Sequence, residues 1–132
     1  MADVHAARAL ALVGTRFRAQ GRDPESGLDC VGLVLCAFGL TDEPVRADYR
    51  LRGNDEAVLR AVLERLFDVV ERPRAGDIAL LRVSSDQLHL GVISDFGLIH
   101  ADAGLRRVVE RPGPAPWPVI ATYRARTAEL RD

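Results

Sequence analysis

The spacing of apolar residues changes partway along the chain, and this change constrains the fold more than any other feature. Before Pro73 the apolar residues recur at helical spacing, whereas beyond it short β-branched-rich runs are separated by Gly, Asp and Ser. Helices followed by strands predict an α+β domain, with N-terminal helices packed on a four- to six-stranded antiparallel sheet. Because the chain has 132 residues and no internal repeat, we expect one domain over residues 1–132.

Three helices are predicted in the first part of the chain. The first ends near Gly14, and the second begins after Asp29, an expected N-cap, and stops at Gly39. Asn54 is the expected cap of the third helix, whose apolar face comprises Val58, Leu59, Val62, Leu63 and Leu66. RFRAQGRDPESG and TDEPVRADYRLRG are expected to be loops. The strands are predicted at IALLRV, LHLGVIS, GLIHA, RRVVE and VIATYRA.

Composition excludes several kinds of protein. The formal net charge is −1 and the charges are scattered, so the sequence predicts no nucleic-acid surface. The N-terminus lacks the charge and apolar run of a signal peptide, and the longest apolar run, Val31 to Leu40, is about half of what a bilayer requires. We therefore expect a protein without a membrane span that is made in the cytoplasm without a signal peptide.

The chain contains two cysteines, Cys30 and Cys36, and both fall on the predicted second helix. Their spacing of six residues is too wide for a C-x2–4-C metal site. It also places the two side chains on different sides of the helix, so no disulfide between them is expected. Cys30 lies in the first turn, where the helix dipole and unpaired N–H groups favour the thiolate. Free cysteines are also commonly buried, so position alone leaves a reactive and a structural role open for Cys30. Cys36, inside the apolar run, is expected to serve packing.

Three histidines are possible bases. His5, among charged neighbours on the first helix, is expected at the solvated surface. His89 and His100 lie 11 residues apart on adjacent predicted strands with a turn near Ser94–Gly97, and such a hairpin can bring the two rings together. One alternative is that both are core histidines. The other is a metal site, which would be incomplete because the sequence pattern lacks clustered acidic or thiol ligands.

Four stretches occur in a specific order: GLDCVGLV, RAGDIALL, HLGVI and LIHA. Together they resemble the NlpC/p60 family of papain-like cysteine peptidases, over about Gly14 to Val109. In its length and in the absence of a secretion signal, the sequence resembles the phage-type cell-wall peptidases of that family. The resemblance implies a papain-like fold of NlpC type, with the nucleophile at the N-terminus of a buried helix and no cofactor or metal.

The resemblance also implies roles for individual residues. Cys30 would be the nucleophile, His89 the general base and acid, and His100 the residue that orients His89. Asp29 would help to bind a free amine of the substrate, and Gly91 would leave room for substrate beside the imidazole. The implied substrate is a peptidoglycan stem peptide, cut at a γ-D-glutamyl–diamino acid bond. Phage-like tail proteins are the implied partners, and a phage-like particle would deliver the protein to the cell wall.

The sequence departs from the family at two positions near the expected site. Phe17 stands where many members have a tyrosine whose hydroxyl lies near the active site, and Val31 follows the cysteine where serine is common. Arg16 or Arg18 is a candidate to replace the lost donor. Two alternatives to a peptidase therefore stay open: a tail-assembly or binding module with weak or no activity, and a Cys-His amidase or acyltransferase. Trp117, in RPGPAPWPV, is either an exposed contact or the cover of a sheet edge.

Overall fold

Eight strands and three helices make up the part of the chain that the computed structural model describes, residues 3–41 and 56–126. The helices are α1 (Val4–Ala11), α2 (Cys30–Ala37) and α3 (Glu56–Leu66). The strands are β1 (Arg22–Asp23), β2 (Gly27–Leu28), β3 (Phe67–Val70), β4 (Ile78–Ser84), β5 (Gln87–Ile93), β6 (Gly97–Asp102), β7 (Arg107–Pro112) and β8 (Val119–Ala125). The expected Asn54 cap and most of TDEPVRADYRLRG lie outside the described residues.

Six of the strands form one antiparallel sheet in the order β3-β8-β4-β5-β6-β7. The predicted α+β architecture is confirmed, and all five predicted strands are present. The sequence missed β3, which continues from α3 without a connecting residue, because a run of four residues is too short for periodicity to reveal. It also missed the hairpin of β1 and β2, which, apart from its last residue Leu28, lies inside RFRAQGRDPESG, a stretch expected to be a loop.

Helix α2 lies at the centre of the core. Its residues are buried on nearly every side, and it packs against α1, β1, β5 and β6. Leu59 and Leu63 of α3 complete the helical side of the core, while Val58, predicted on the same face, is 55% exposed. Burial all round explains why the α2 sequence is apolar rather than amphipathic.

The prediction that His5 is a solvated surface residue is wrong. Its side chain is buried and stacks on Phe38, with ring centroids 4.3 Å apart. Asp3 caps α1 by accepting hydrogen bonds from the backbone N–H groups of His5 and Ala6. The capped helix then turns His5 toward α2, where Nδ1 lies 3.4 Å from the carbonyl oxygen of Ala37.

The Ala-Gly-Asp stretch has a structural role at the start of β4. The carboxylate of Asp77 is buried and accepts hydrogen bonds from Nε and Nη2 of Arg124, both at 2.9 Å. It also accepts one from the backbone N–H of Arg74 at 2.8 Å. This bidentate pair joins β4 to β8 and fixes the centre of the sheet.

Strands β5 and β6 separate along most of their length. Their ladder contains only the pairs Val92↔Ile99 and Ile93↔Leu98, near the turn that joins them. The first residues of β5 and the last residues of β6 are therefore free to diverge. The separation opens the sheet where the N-terminus of α2 approaches it.

Candidate active site

A cleft of about 540 Å³ lies between the separated strands and the N-terminus of α2. Five parts of the chain line it: the segment before β1, the start of α2, the end of β4, the two diverging strands with the turn after β6, and Trp117. The lining residues are Phe17, Ala19, Gln20, Asp29, Cys30, Val83, Gln87, Leu88, His89, His100, Ala101, Asp102, Ala103, Gly104 and Trp117. The cleft thus brings together Asp29, Cys30, His89 and His100, four residues that the sequence analysis singled out.

Asp29 fixes the start of α2 and thereby the position of Cys30. As the predicted N-cap, its Oδ1 accepts a hydrogen bond from the backbone N–H of Gly32 at 2.9 Å. The same oxygen accepts one from Nη1 of Arg22 at 2.9 Å, and Oδ2 accepts one from the backbone N–H of Gln20 at 3.0 Å. One carboxylate therefore holds the helix end, an arginine and the loop that lines the cleft.

The glycines around this cap allow the close approach of the hairpin to the helix. A Cβ at Gly32 would collide with the carbonyl oxygen of Gly21, and a Cβ at Gly21 would collide with that of Gly27. Gly32 therefore allows the backbone of the hairpin to pack closely on the helix. The packing sets how far the first turn of α2 projects into the cleft.

His89 and His100 form a hydrogen-bonded pair. His89 Nε2 lies 3.0 Å from His100 Nδ1, and the ring planes are perpendicular. If His89 is to accept a proton at Nδ1, its Nε2 must carry hydrogen and donate to Nδ1 of His100. His100 Nε2, in a side chain that is 2% exposed, then carries an N–H without a partner among the described residues. The pairing leaves Nδ1 of His89 available for another group.

Trp117 completes the histidine pair as a third ring. Its centroid lies 5.6 Å from that of His89 and 5.5 Å from that of His100, and both contacts are edge-to-face. It also packs against the small apolar cluster of Ala79, Leu81 and Leu98. Of the two roles expected for Trp117, an exposed contact or the cover of a sheet edge, the structure agrees better with the cover. The tryptophan covers the two histidines as well as the sheet.

Burial sets the protonation states of the cleft. It raises the pKa of the Cys30 thiol to about 12, and the adjacent Asp29 carboxylate raises it further, against backbone hydrogen bonds from Leu90 and Val31 that lower it. Burial also lowers the pKa of His89 to about 4 and lowers that of His100. The expectation that the helix terminus favours a Cys30 thiolate is wrong for the free protein, because desolvation of the thiolate outweighs the dipole.

The remaining predicted residues lie in different places. Phe17 lines the cleft, but Arg16 and Arg18, the candidates to replace a tyrosine hydroxyl, are exposed and do not line it. Gly91 is buried outside the cleft lining, and a Cβ there would approach Cδ1 of Leu98 at 2.6 Å. Its absent side chain therefore leaves room for the neighbouring strand. Cys36 also lies outside the lining, and both cysteines are free thiols.

Four polar or aromatic lining residues were not identified as site residues from the sequence: Gln20, Gln87, Asp102 and Trp117. Asp102 follows His100 by two positions on a strand, which places both side chains on one face, so this spacing was a usable signal. No comparable signal existed for Trp117, because its approach to His89 depends on the path of a proline-rich segment. Gln20 adopts a left-handed backbone conformation, with φ 60°, and the sequence does not predict this conformation.

Two features are absent from residues 3–41 and 56–126: a metal-binding cluster and a membrane-spanning helix. No group of three or more His, Cys, Asp and Glu side chains is arranged to hold a metal ion there. None of the helices in those ranges combines the length and apolar character that crossing a bilayer requires.

The architecture is that of a papain-like NlpC/p60 fold, with a cysteine at the N-terminus of a buried helix that packs on an antiparallel sheet. A similar solved structure is the NlpC/p60 domain of the peptidoglycan hydrolase SagA, with a TM-score of 0.57 and 21% sequence identity. The match covers 83% of this chain and 86% of that chain. No family model matches the sequence, and no curated protein matches it. The likeness at this identity concerns the fold.

Proposed function

We propose that this protein is a cysteine hydrolase that cuts peptidoglycan stem peptides, with Cys30 as nucleophile, His89 as base and acid, and His100 as the orienting residue. The observation that carries the proposal is the hydrogen bond between His89 Nε2 and His100 Nδ1 in the cleft that Cys30 also lines. A nucleophile, a base and a group that orients the base are the parts that thiol catalysis needs. The fold shared with a peptidoglycan hydrolase domain supports the choice of substrate.

In the proposed acylation step, Nδ1 of His89 takes the proton of the Cys30 thiol as Sγ attacks the scissile carbonyl. The imidazolium that forms keeps its Nε2–H on His100. Collapse of the tetrahedral intermediate breaks the C–N bond, and His89 returns the proton to the leaving amine. In deacylation His89 accepts a proton from water, which attacks the thioester and releases the acid and the free thiol. The bond we propose is the γ-D-glutamyl–diamino acid bond.

The oxyanion needs donors that do not depend on a tyrosine hydroxyl. The N–H groups in the first turn of α2 have no partner within the helix, and the backbone N–H of Cys30 is the proposed first donor. Gln20 is the proposed second donor, because it lines the cleft and its backbone is fixed to Oδ2 of Asp29. Its side-chain amide would take the place of the donor that Phe17 cannot supply.

The raised thiol pKa and the lowered imidazole pKa mean that the free protein holds a neutral pair between about pH 4 and pH 12. Proton transfer from Cys30 to His89 would therefore accompany attack on the substrate rather than precede it. Asp29, with an unfilled lone pair on Oδ2, would accept a hydrogen bond from the free amine of the substrate. Positive charge placed there would offset the effect of Asp29 on the Cys30 thiol.

A second candidate function is a binding module that retains the fold without useful turnover. Cys30 is only 2% exposed and its pKa is about 12, which favours an inert thiol. Phe17, in place of a family tyrosine, supports the same candidate. Such a module would bind stem peptides in the cleft without cutting them.

Digestion of purified muropeptides separates these functions. We expect the wild-type protein to release a fragment with a new amine on the diamino acid, seen by mass spectrometry, and Cys30→Ala to release none. Cys36→Ala is the matched control, because it removes the other free thiol from the same helix outside the cleft. Binding without release by the wild-type protein would support the module instead. Blocking the substrate's free amine should abolish cleavage by a peptidase of this type but leave an acyltransferase unaffected.

Phage-like tail proteins as partners, and delivery to the cell wall by a phage-like particle, stay predictions that rest on the resemblance of the sequence motifs alone. The single domain over residues 1–132 likewise stays a prediction. A pull-down of the full chain with tail proteins from a phage-like gene cluster would test the first of these.

A further inference from the structure

The cleft lining contains acidic side chains that are not all paired with a positive charge. Asp29 and Asp102 are its two acidic residues, and no arginine is among the described residues that line it, in a chain with 18 Arg and Lys residues. The lowered pKa values leave both histidines neutral near pH 7. Asp29 is paired with Arg22 at 2.9 Å. The uncompensated charge of this lining is therefore the carboxylate of Asp102.

Asp102 is held in place without being neutralised. Its Oδ1 accepts a hydrogen bond from the backbone N–H of Leu105 at 3.0 Å, within the turn that follows β6. Arg107 is its partner in the ladder with β7, yet the two side chains form no ion pair. The half-buried carboxylate thus keeps Oδ2 free of any hydrogen bond with a described residue.

Asp102 also lies near the proposed catalytic pair. It is two residues beyond His100 on β6, so the two side chains leave the strand on the same face. Its negative charge raises the pKa of both histidines, against the effect of burial. A cation bound at Asp102 would therefore lie in the same part of the cleft as the reacting bond.

We infer that Asp102 is a specificity residue that binds the side-chain ammonium of a diamino acid in the substrate, an inference that rests on the proposed function. A free carboxylate oxygen on a fixed strand end suits an ammonium group, which donates three hydrogen bonds. The same charge disfavours a substrate carboxylate at this position, so it selects for the cationic residue of the stem peptide.

The test uses the full chain with Cys30→Ala, so that binding is measured without turnover. The probes are L-Ala-γ-D-Glu-L-Lys and the same peptide with norleucine, which has the lysine side chain without its ammonium. Both carry the same free N-terminal amine, so any contribution of Asp29 cancels. We expect calorimetry to show about tenfold tighter binding of the lysine peptide, as for one charge-assisted hydrogen bond.

Adding Asp102→Asn should remove that discrimination by weakening only the lysine peptide. Asp95→Asn is the matched control: it makes the same change on the exposed turn between β5 and β6, outside this cleft, and should keep the tenfold preference. Equal binding of the two peptides, binding of neither, or a preference that survives Asp102→Asn would overturn the inference. Hydrolysis by the wild-type protein is a separate result, because cleavage of both peptides at equal rates would sustain the proposed function and reject the role of Asp102.

Discussion

The two walls of the cleft are built in different ways. The helix wall comes from one short stretch, in which Asp29 caps the helix that begins with Cys30 and binds Arg22 and the backbone of Gln20. The sheet wall joins His89, His100 and Trp117, which are distant in the sequence and meet through ring contacts and one hydrogen bond. The helix wall therefore holds the proposed nucleophile on a fixed support, whereas the sheet wall holds the imidazole that would accept its proton.

The largest effect should come from removing His89, the proposed base on the sheet wall. His89→Ala should lower kcat about a thousandfold, as expected when a general base is lost, and should cost about 1–3 kcal/mol of stability because Nδ1 of the buried His100 loses its partner. His5→Ala is the control, because it removes a histidine that is buried outside the cleft lining. It should destabilise the protein through the lost stacking on Phe38 and leave kcat almost unchanged. Comparable losses of kcat in both variants would reject the proposal that His89 acts as the base.

The sheet wall should also make stability depend on pH. The pKa of His89 is about 4 in the folded protein and about 6.5 when unfolded, so between these values the unfolded chain binds a proton that the folded protein does not. Stability should fall as the pH drops through this window, by about 2–3 kcal/mol between pH 7 and pH 4.5 for this residue. His100, whose pKa is also lowered, acts in the same direction.

Urea unfolding at both pH values measures this effect. His89→Gln should show a shallower loss of stability on acidification than the wild-type protein, because glutamine does not titrate. Parallel pH dependence in the two proteins would mean that His89 is not desolvated as the structure shows. Carboxylates that do not interact with His89 contribute equally to the pH dependence of both proteins and therefore cancel in the comparison.

The same difference between the walls explains what the sequence could predict. The cap at Asp29, the buried helix and the place of Cys30 depend on neighbouring residues, so local patterns were sufficient. The approach of His89 to His100 was predicted only as something a hairpin allows, and it depends on strands whose ladder ends at Val92↔Ile99. Local sequence does not predict that Trp117 lies beside the histidines. It also does not predict that burial reverses the expected shift in the Cys30 pKa, because both features arise from tertiary packing.

A smaller effect is expected from the cap of the helix wall. Asp29→Ala should destabilise the protein by about 1–2 kcal/mol, because the N–H of Gly32 and the charge of Arg22 lose their partner. Asp29→Asn can still cap the helix, so it should recover most of that loss. Since the Asp29 charge raises the pKa of the Cys30 thiol, Asn should also speed alkylation of Cys30 at a given pH. Cys36 is the internal reference, and equal acceleration of both thiols would contradict the placement of Asp29.

The smallest effect should come from the ring geometry of the sheet wall. Trp117→Leu keeps an apolar side chain but removes two edge-to-face contacts with the histidines, and we expect kcat/KM to fall about fivefold, or about 1 kcal/mol. Trp117→Phe should recover part of this loss because an aromatic ring remains. If Trp117 only supported the apolar cluster of Ala79, Leu81 and Leu98, Leu would serve as well as Phe. A lower kcat/KM for Leu than for Phe at equal stability therefore indicates that the tryptophan orients the histidine pair, and equal values would assign it to packing alone.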